Sequence, residues 1–547
     1  MGEATGGARR AGPVHIWLGV AIAALISANA AAQTNPAVTV HVDAAAKRHA
    51  INPLIYGVAF ATKAQLEALN APLNRSGGNN MADYNWSQNA QNLDTDWYFE
   101  SYPQTGTAPG AETDSFVAQS KAASALPMLT VPLIGWVAKL GPNRSILPSF
   151  SVAKYGAQCA VDPYDPDAGD GVLTDCATNI AGNDPNDAYV ADSVGKEAHW
   201  ISHLINKWGT SSAGGVGYYL MDNEPSLWFS THRDIHPIGP HADEYRDKVI
   251  AESASIKSLD PNAKIVAPEE WGWLGYFYSG YDQQYAAAHN WSSFPDRTSE
   301  EGNMDYIPWL LSQWKAQGRP VDILSVHFYP QGGEYSDDTS TTTELLRNRS
   351  TRQLWDTNYV SQSWINAPVY LVPRLKQWVK TYYYADTPVA ITEYNWGAEG
   401  SINGATAQAD IFGIFGQQGL DMATRWTVPA SNTPTFKAMQ MYRNYDGAKS
   451  AFGDTSVAAA APNPDDLSAF AAVRTADGAL TIMVINKVLT GSTPVRVVLK
   501  NFAASGTAKV YRLTASNRIR ALSPVTWSGG ILRDSEPHQS ITLYILP

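Results

Sequence analysis

Residues 215–225 read GVGYYLMDNEP and residues 387–396 read TPVAITEYNW. Each is a short apolar run that yields to loop residues at a glutamate, Glu224 in the first and Glu393 in the second. Pro225 then ends the first run, because it brings no N–H to a strand ladder. Six further runs flank these two in the chain: LIYGVAF (54–60), APLNRSG (71–77), LPMLTVPLIGWV (126–137), AKIVAPEEW (263–271), VDILSVHFYP (321–330) and DMATRWTV (421–428). Most lead into amphipathic stretches with a helical period, such as DEYRDKVIAESASIKSL (243–259), MDYIPWLLSQWKAQ (304–317) and ATAQADIFGIFGQQ (405–418). Eight such strand–helix units predict an α/β fold, a (β/α)8 TIM barrel with long loop insertions, over residues 51–445. A doubly wound open sheet is the competing arrangement, but no Gly-rich phosphate turn follows an early strand.

The texture changes after about residue 446. LSAFAAVRT (467–475), ALTIMVINKV (479–488), TPVRVVLKNF (493–502), TAKVYRLT (507–514) and SITLYILP (540–547) alternate without helices between them. That pattern predicts an additional all-β sandwich domain over 446–547. AVTVHVDA (37–44) alternates in the same way, so residues 33–50 are expected to lend a strand to that sandwich. Upstream, Arg9 and Arg10 precede the apolar run 16–26, and Ala30-Ala31-Ala32 follow. These are the parts of a cleavable signal peptide, residues 1–32, and the run is shorter than the ~20 residues a membrane span requires. The expectation is a secreted protein, extracellular or periplasmic, with no membrane association after cleavage.

The 547-residue chain carries a net charge of −12 and 18 tryptophans. An acidic surface is a poor partner for nucleic acid, whose phosphates need Lys and Arg. Tryptophan faces stack on the C–H faces of sugar rings, although core packing uses tryptophan equally well. The only cysteines, Cys159 and Cys176, sit in one polar segment and are expected to form a disulfide in an exported protein.

Function is read from where the glutamates fall. Barrel enzymes keep their chemistry at the C-terminal ends of the strands, and Glu224 and Glu393 end the fourth and seventh runs. Glycoside hydrolysis needs two carboxyls across the scissile bond, one protonated and one ionised. Asn223 precedes Glu224 and has an amide suited to a sugar hydroxyl, while Tyr394 and Trp396 flank Glu393. A lone strand-end Glu is more often a cap or a surface ion pair; two on one barrel face favour catalysis.

The longer words are more specific. APLNRSGGNNMADYNW (71–86), YYLMDNEPSLWFSTHRDIHP (218–237), DPNAKIVAPEEWGW (260–273), DILSVHFYPQ (322–331) and ITEYNWGAEGSINGATAQADIFGIFG (391–416) resemble glycoside hydrolase family 44, the endoglucanase/xyloglucanase family. APEEWGW is more charged than the usual fifth-strand ending of that family. The resemblance implies a retaining endo-β-1,4-glucanase or xyloglucanase, with Glu224 as general acid/base and Glu393 as nucleophile. Hydrolysis of another β-1,4 backbone (mannan or xylan) and a catalytically inactive carbohydrate-binding barrel are the alternatives.

Around the pair, Arg75 is expected to orient Glu393, with a loop-ordering role as the alternative. His327 and Tyr329 lie two apart, so both point to one side of their strand. Tyr329 is the better neighbour for the nucleophile, since a lone His is as often a core residue. Trp426 is expected as a sugar platform, and Trp86 as a ring lining the cleft. No cofactor is required for this chemistry. The Asp-rich segment DPYDPDAGDGVLTD (162–175) offers oxygen ligands without EF-hand spacing. A solvated turn is its first reading, and the resemblance implies a structural calcium without fixing its ligands. The expected partner is a polysaccharide, bound by a monomer.

Overall fold

The structure is a computed structural model that describes residues 33–547; the expected leader, residues 1–32, lies outside them. Strands Gly57–Ala59, Leu73–Ser76, Leu126–Val131, Tyr218–Met221, Lys264–Glu270, Ile323–Phe328, Val389–Tyr394 and Met422–Arg425 form a closed parallel barrel in chain order. The eighth pairs back to the first through Thr424 and Gly57. All eight expected runs supply a strand. Helices Lys63–Leu69, Ala111–Ala122, Val194–Trp208, Ala242–Leu259, Tyr306–Ala316, Leu371–Tyr382, Ile402–Gln418 and Pro434–Arg443 follow them one by one.

Parallel strands covered on both faces read as continuous apolar runs rather than alternating ones, and all six residues of Ile323–Phe328 are buried. Leu73, Met128, Leu220, Val266, Ile323, Ala390 and Met422 fill the barrel interior as a cluster separate from the strand–helix core. That apolar filling leaves the opposite, C-terminal mouth of the barrel for polar side chains.

Insertions crowd this mouth. The loop after the second strand carries the hairpin Ala90–Asn92 with Glu100–Pro103. The loop after the third carries Trp136–Ala138, paired with Tyr189–Ala191. Cys159 and Cys176 are joined in a disulfide within this insertion.

The C-terminal sheet closes on itself. Its order is Ser492–Lys500, Ile531–Pro537, Arg520–Ser528, Gly506–Leu513, Ser540–Leu546, Leu480–Asn486, Leu467–Val473, Thr455–Ala460 and then Val38–Asp43. Val38–Asp43 pairs antiparallel with Thr455–Ala460 and parallel with Ser492–Lys500, which completes the ring. One parallel pairing thus enters an otherwise antiparallel sheet. Side chains of Val40, Val42, Leu480, Ile482, Val497, Leu532 and Tyr544 belong to its core. The barrel helix Ile402–Gln418 meets this domain, and the buried Lys487 Nζ lies 3.0 Å from Asp410 Oδ2. Among the described residues, no helix is long and apolar enough to cross a membrane.

Candidate active site

The fourth barrel strand ends in a turn built by Asp222. Its carboxylate accepts the N–H groups of Leu133 (2.5 Å), Ile134 (3.1 Å) and Asn223 (2.7 Å), and the indole N–H of Trp228 (3.0 Å). Asp222 and Glu224 both adopt left-handed backbone conformations, with φ of 67° and 46°. Such conformations are unfavourable for residues with a Cβ and persist where the surroundings over-determine them. The carboxylate of Asp222 supplies that determination and turns Glu224 towards the barrel axis.

Glu393 reaches the same space from the seventh strand. One ligand atom each of Glu224, His327 and Glu393 lie within 4.8 Å of one another. Glu393 is hydrogen-bonded on both oxygens: Arg75 Nη1 donates to Oε1 at 2.6 Å and the Tyr329 hydroxyl to Oε2 at 2.7 Å. Arg75 Nη2 also donates to Asn223 Oδ1 (3.1 Å) and Glu269 Oε2 (3.2 Å). Gly77 is why this buried guanidinium fits, since a Cβ there would lie 2.4 Å from Arg75 Cζ. Trp426 covers the same guanidinium at 5.6 Å, a cation–π contact.

His327 Nδ1 meets Glu224 Oε1 at 2.7 Å. Burial pushes Glu224 above the usual carboxylate range, while the His327 hydrogen bond pulls it partly back. Burial alone would push His327 down; the carboxylates of Glu393, Glu224 and Glu269 overcome it and raise the imidazole to about 9. One carboxyl is therefore biased towards its protonated form, and the other is held by donors on both oxygens.

Asn223, Arg75, His327, Tyr329, Glu224, Glu393 and Trp426 thus come together. Three expected ring contacts do not. Tyr394 is fully buried on the outer face of its strand, accepting from Gln408 Nε2 at 3.0 Å and packing on Phe415. Successive strand side chains point to opposite faces, so the residue after an inward Glu393 must point outward. Trp396 is also a core residue, donating to Ser350 Oγ and packing on Phe328. Trp86 donates to the Lys196 carbonyl and lies against His203 of helix Val194–Trp208, so it packs the outer layer.

Sequence reasoning missed Glu269 as a site residue. It is the penultimate residue of the fifth strand, fully buried among Arg75, His327 and Thr392. The strand-end rule that singled out Glu224 and Glu393, applied to AKIVAPEEW, marks this position too. A second missed group is buried beneath the loop at residue 79. Asp83, Asp94 and His232 offer ligand atoms within 4.8 Å of one another; Asp94 Oδ2 lies 3.3 Å from His232 Nε2, and burial and the neighbouring acid raise both aspartates well above their ordinary range. The Asp-rich segment is organised by its own backbone, as a turn. Asp162, Asp165, Asp170 and Asp175 each accept backbone N–H groups of their own turns, and Asp167 accepts from Ser151 and Ala153.

Residues 90–332 match the model of glycoside hydrolase family 44. CelM2, a bifunctional glucanase-xylanase protein from a metagenome library, is 58% identical with a TM-score of 0.92; the match covers 94% of this chain and 99% of CelM2. A Paenibacillus polymyxa xyloglucanase from family 44 is 29% identical with a TM-score of 0.77, covering 94% of this chain and 100% of that one. Endoglucanase A of Paenibacillus lautus is 32% identical over 496 residues, 84% of this chain; the match spans 65% of that curated relative's length.

Proposed function

The chain belongs to glycoside hydrolase family 44, and from that premise we propose that it is a retaining endo-β-1,4-glucanase or xyloglucanase. One observation carries this reading: ligand oxygens of Glu224 and Glu393 within 4.8 Å, at the mouth of one barrel. So close an approach of one oxygen from each favours the retaining arrangement, with carboxyls roughly 5–5.5 Å apart, over the inverting one, which leaves about 6.5–9.5 Å for a water.

In the mechanism this supports, Glu393 attacks the anomeric carbon while Glu224 gives its proton to the leaving oxygen, and the glycosidic bond breaks. Glu224, now a carboxylate, takes a proton from water as that water displaces Glu393, so configuration is retained. Arg75 and Tyr329 hold the nucleophile in line, and Asn223 is available to a sugar hydroxyl. The chemistry needs no cofactor. Both carboxylates come from one chain, which makes a monomer a sufficient functional unit. Export rests on the leader read in residues 1–32.

The test is reducing-sugar release from cellulose derivatives, xyloglucan, xylan and mannan, with the anomer followed by NMR. Glu393→Gln should lose turnover by roughly 1,000-fold or more while still binding oligosaccharide. Glu224→Gln should lose less on aryl glycosides with good leaving groups, which need little acid assistance. Near-normal activity of either variant on polysaccharide would overturn its role. Activity centred on xylan or mannan would move the reading to another β-1,4 backbone; xylan is favoured as runner-up by the likeness to CelM2.

For a structural cation, the buried Asp83, Asp94 and His232 have the better chemistry. Burial and the neighbouring acids push both aspartates well above their ordinary range, so a divalent ion would relieve them. The imidazole donor suits a first-row metal more than calcium.

A further inference from the structure

Glu269 is fully buried, and its backbone also accepts from Glu224 N–H at 3.1 Å. Oε2 accepts from Arg75 Nη2 (3.2 Å) and lies 3.3 Å from His327 Nε2, while Oε1 accepts from Thr392 Oγ1 (2.9 Å). The fifth strand breaks register between Pro268 and Glu270, and Glu269 has a φ of 59°. A bulge of this kind re-aims a side chain. Here it separates two neighbouring carboxyls: Glu269 reaches Arg75 and His327, whereas Glu270 Oε2 meets Ser226 Oγ at 2.5 Å.

His327 consequently lies among carboxyls, with Nε2 3.3 Å from Glu269 Oε2 and 3.4 Å from Arg75 Nη2, and Nδ1 2.7 Å from Glu224 Oε1 and 3.6 Å from Glu393 Oε2. Its backbone carbonyl accepts from the Tyr276 hydroxyl, which fixes the strand beneath it. We propose that Glu269 is a positioning residue for the acid/base: it anchors Nε2–H of His327 and supplies the counter-charge through which the imidazole presents Nδ1 to Glu224. This rests on the reading of Glu224 as acid/base.

A charge count gives the reason. Arg75 balances one carboxylate of the interior, Glu393. Glu269 adds a second fixed negative charge, and the nearest group able to answer it with a proton is His327. With His327 protonated, the interior carries no net charge while Glu224 holds its own proton, which burial favours and the imidazolium opposes. Remove the charge of Glu269, and Glu224 and His327 together hold one proton fewer. The groups facing this cluster are Arg75 from the second strand, Glu224 after the fourth, Glu270 on the fifth, Tyr329 on the sixth, Glu393 on the seventh, and the hydroxyls of Tyr245 and Tyr276. Arg75 is the sole fixed cation among them. Glu269 is itself held below the usual carboxylate range: burial would raise it, but the His327 hydrogen bond and the Arg75 charge outweigh that.

The experiment is the pH profile of kcat/KM for Glu269→Gln, which keeps the shape and removes the charge. The basic limb reports the first proton lost from the Glu224–His327 pair, which titrates as a unit, so it should move to lower pH by about one unit. Glu269→Asp, which keeps the charge, should restore the limb even where the rate stays low. On aryl β-cellobiosides, the Gln variant should depend more steeply on leaving-group pKa than the native enzyme. An unmoved basic limb in a folded Glu269→Gln overturns the proposal while leaving Glu224 as acid/base untouched; normal activity of Glu224→Gln overturns the underlying reading instead. Should Glu269→Gln not fold, 15N spectra of histidine-labelled native protein decide. One buried histidine doubly protonated at pH 8 is expected, and none overturns the proposal.

Discussion

Tyr329 and Arg75 divide the oxygens of Glu393 between them, so neither donor can stand in for the other. Tyr329→Phe removes only the hydroxyl that donates at 2.7 Å. A hydrogen bond to a charged group is worth about 1.5–3 kcal/mol, so kcat/KM should fall roughly 10- to 150-fold with little change in Tm. Steady-state kinetics with thermal unfolding check both halves of that statement. At this scale the two strand-end glutamates and the NRSGG arginine were legible, because a residue type at a strand end already carries its meaning. The aromatic neighbours were not. Tyr394 and Trp396 follow Glu393 closely in sequence, yet adjacency along a strand alternates between faces and Trp396 lies beyond the strand end. Trp426 was legible only as a ring; its contact with Arg75 depends on how the eighth strand lies beside the second-strand loop.

At the scale of elements, the second strand and its exit loop do more than supply an arginine. The chain after Arg75 doubles back over the guanidinium through Gly77, and Gly78, at φ of 85°, passes under Trp426. Gly77→Ala puts a methyl group 2.4 Å from Arg75 Cζ, and the fully buried arginine has no free direction in which to move. Its bond to Glu393 should lengthen, lowering kcat by about tenfold or more on the same energy scale. Rescue of kcat by added guanidinium should fail, since the native group is displaced rather than missing. A variant with unchanged kcat would show that the loop can open without disturbing the site. The eight strands could be read from the sequence because burial on both faces leaves continuous apolar runs. The fifth strand shows the limit of that reading: its bulge, which decides where Glu269 and Glu270 point, leaves no mark in apolar periodicity.

At the scale of the molecule, the insertions after the second, third and fourth strands meet around buried acids. Asp83 and Asp94 come from one insertion and His232 from another, so a bound ion would tie two loops together beside the site. Metal analysis of the purified protein should find about one equivalent of a divalent ion, absent in Asp94→Asn. Chelation should lower Tm by a few degrees, as expected for a ligand held at about a hundredfold above its Kd. A metal-free protein with chelator-insensitive Tm would mean that protons neutralise the cluster instead. This long-range convergence was the least legible feature, because no local pattern links residues 83, 94 and 232. The β-rich character of the chain after the barrel was readable from its change in periodicity. The closure of the second sheet into a ring was not, since it depends on both neighbours of one strand.

That strand, Val38–Asp43, has a consequence in time. It leaves the ribosome before any barrel strand, yet its partners Thr455–Ala460 and Ser492–Lys500 come near the end of the chain. At about 5–20 residues per second, synthesis leaves it unpaired for tens of seconds. The barrel can close in that interval, but the ring cannot, and until the last strands arrive an alternating apolar segment waits with both edges bare. A chain cut short after the barrel would carry this segment unpaired for good, an exposed edge open to association with other copies.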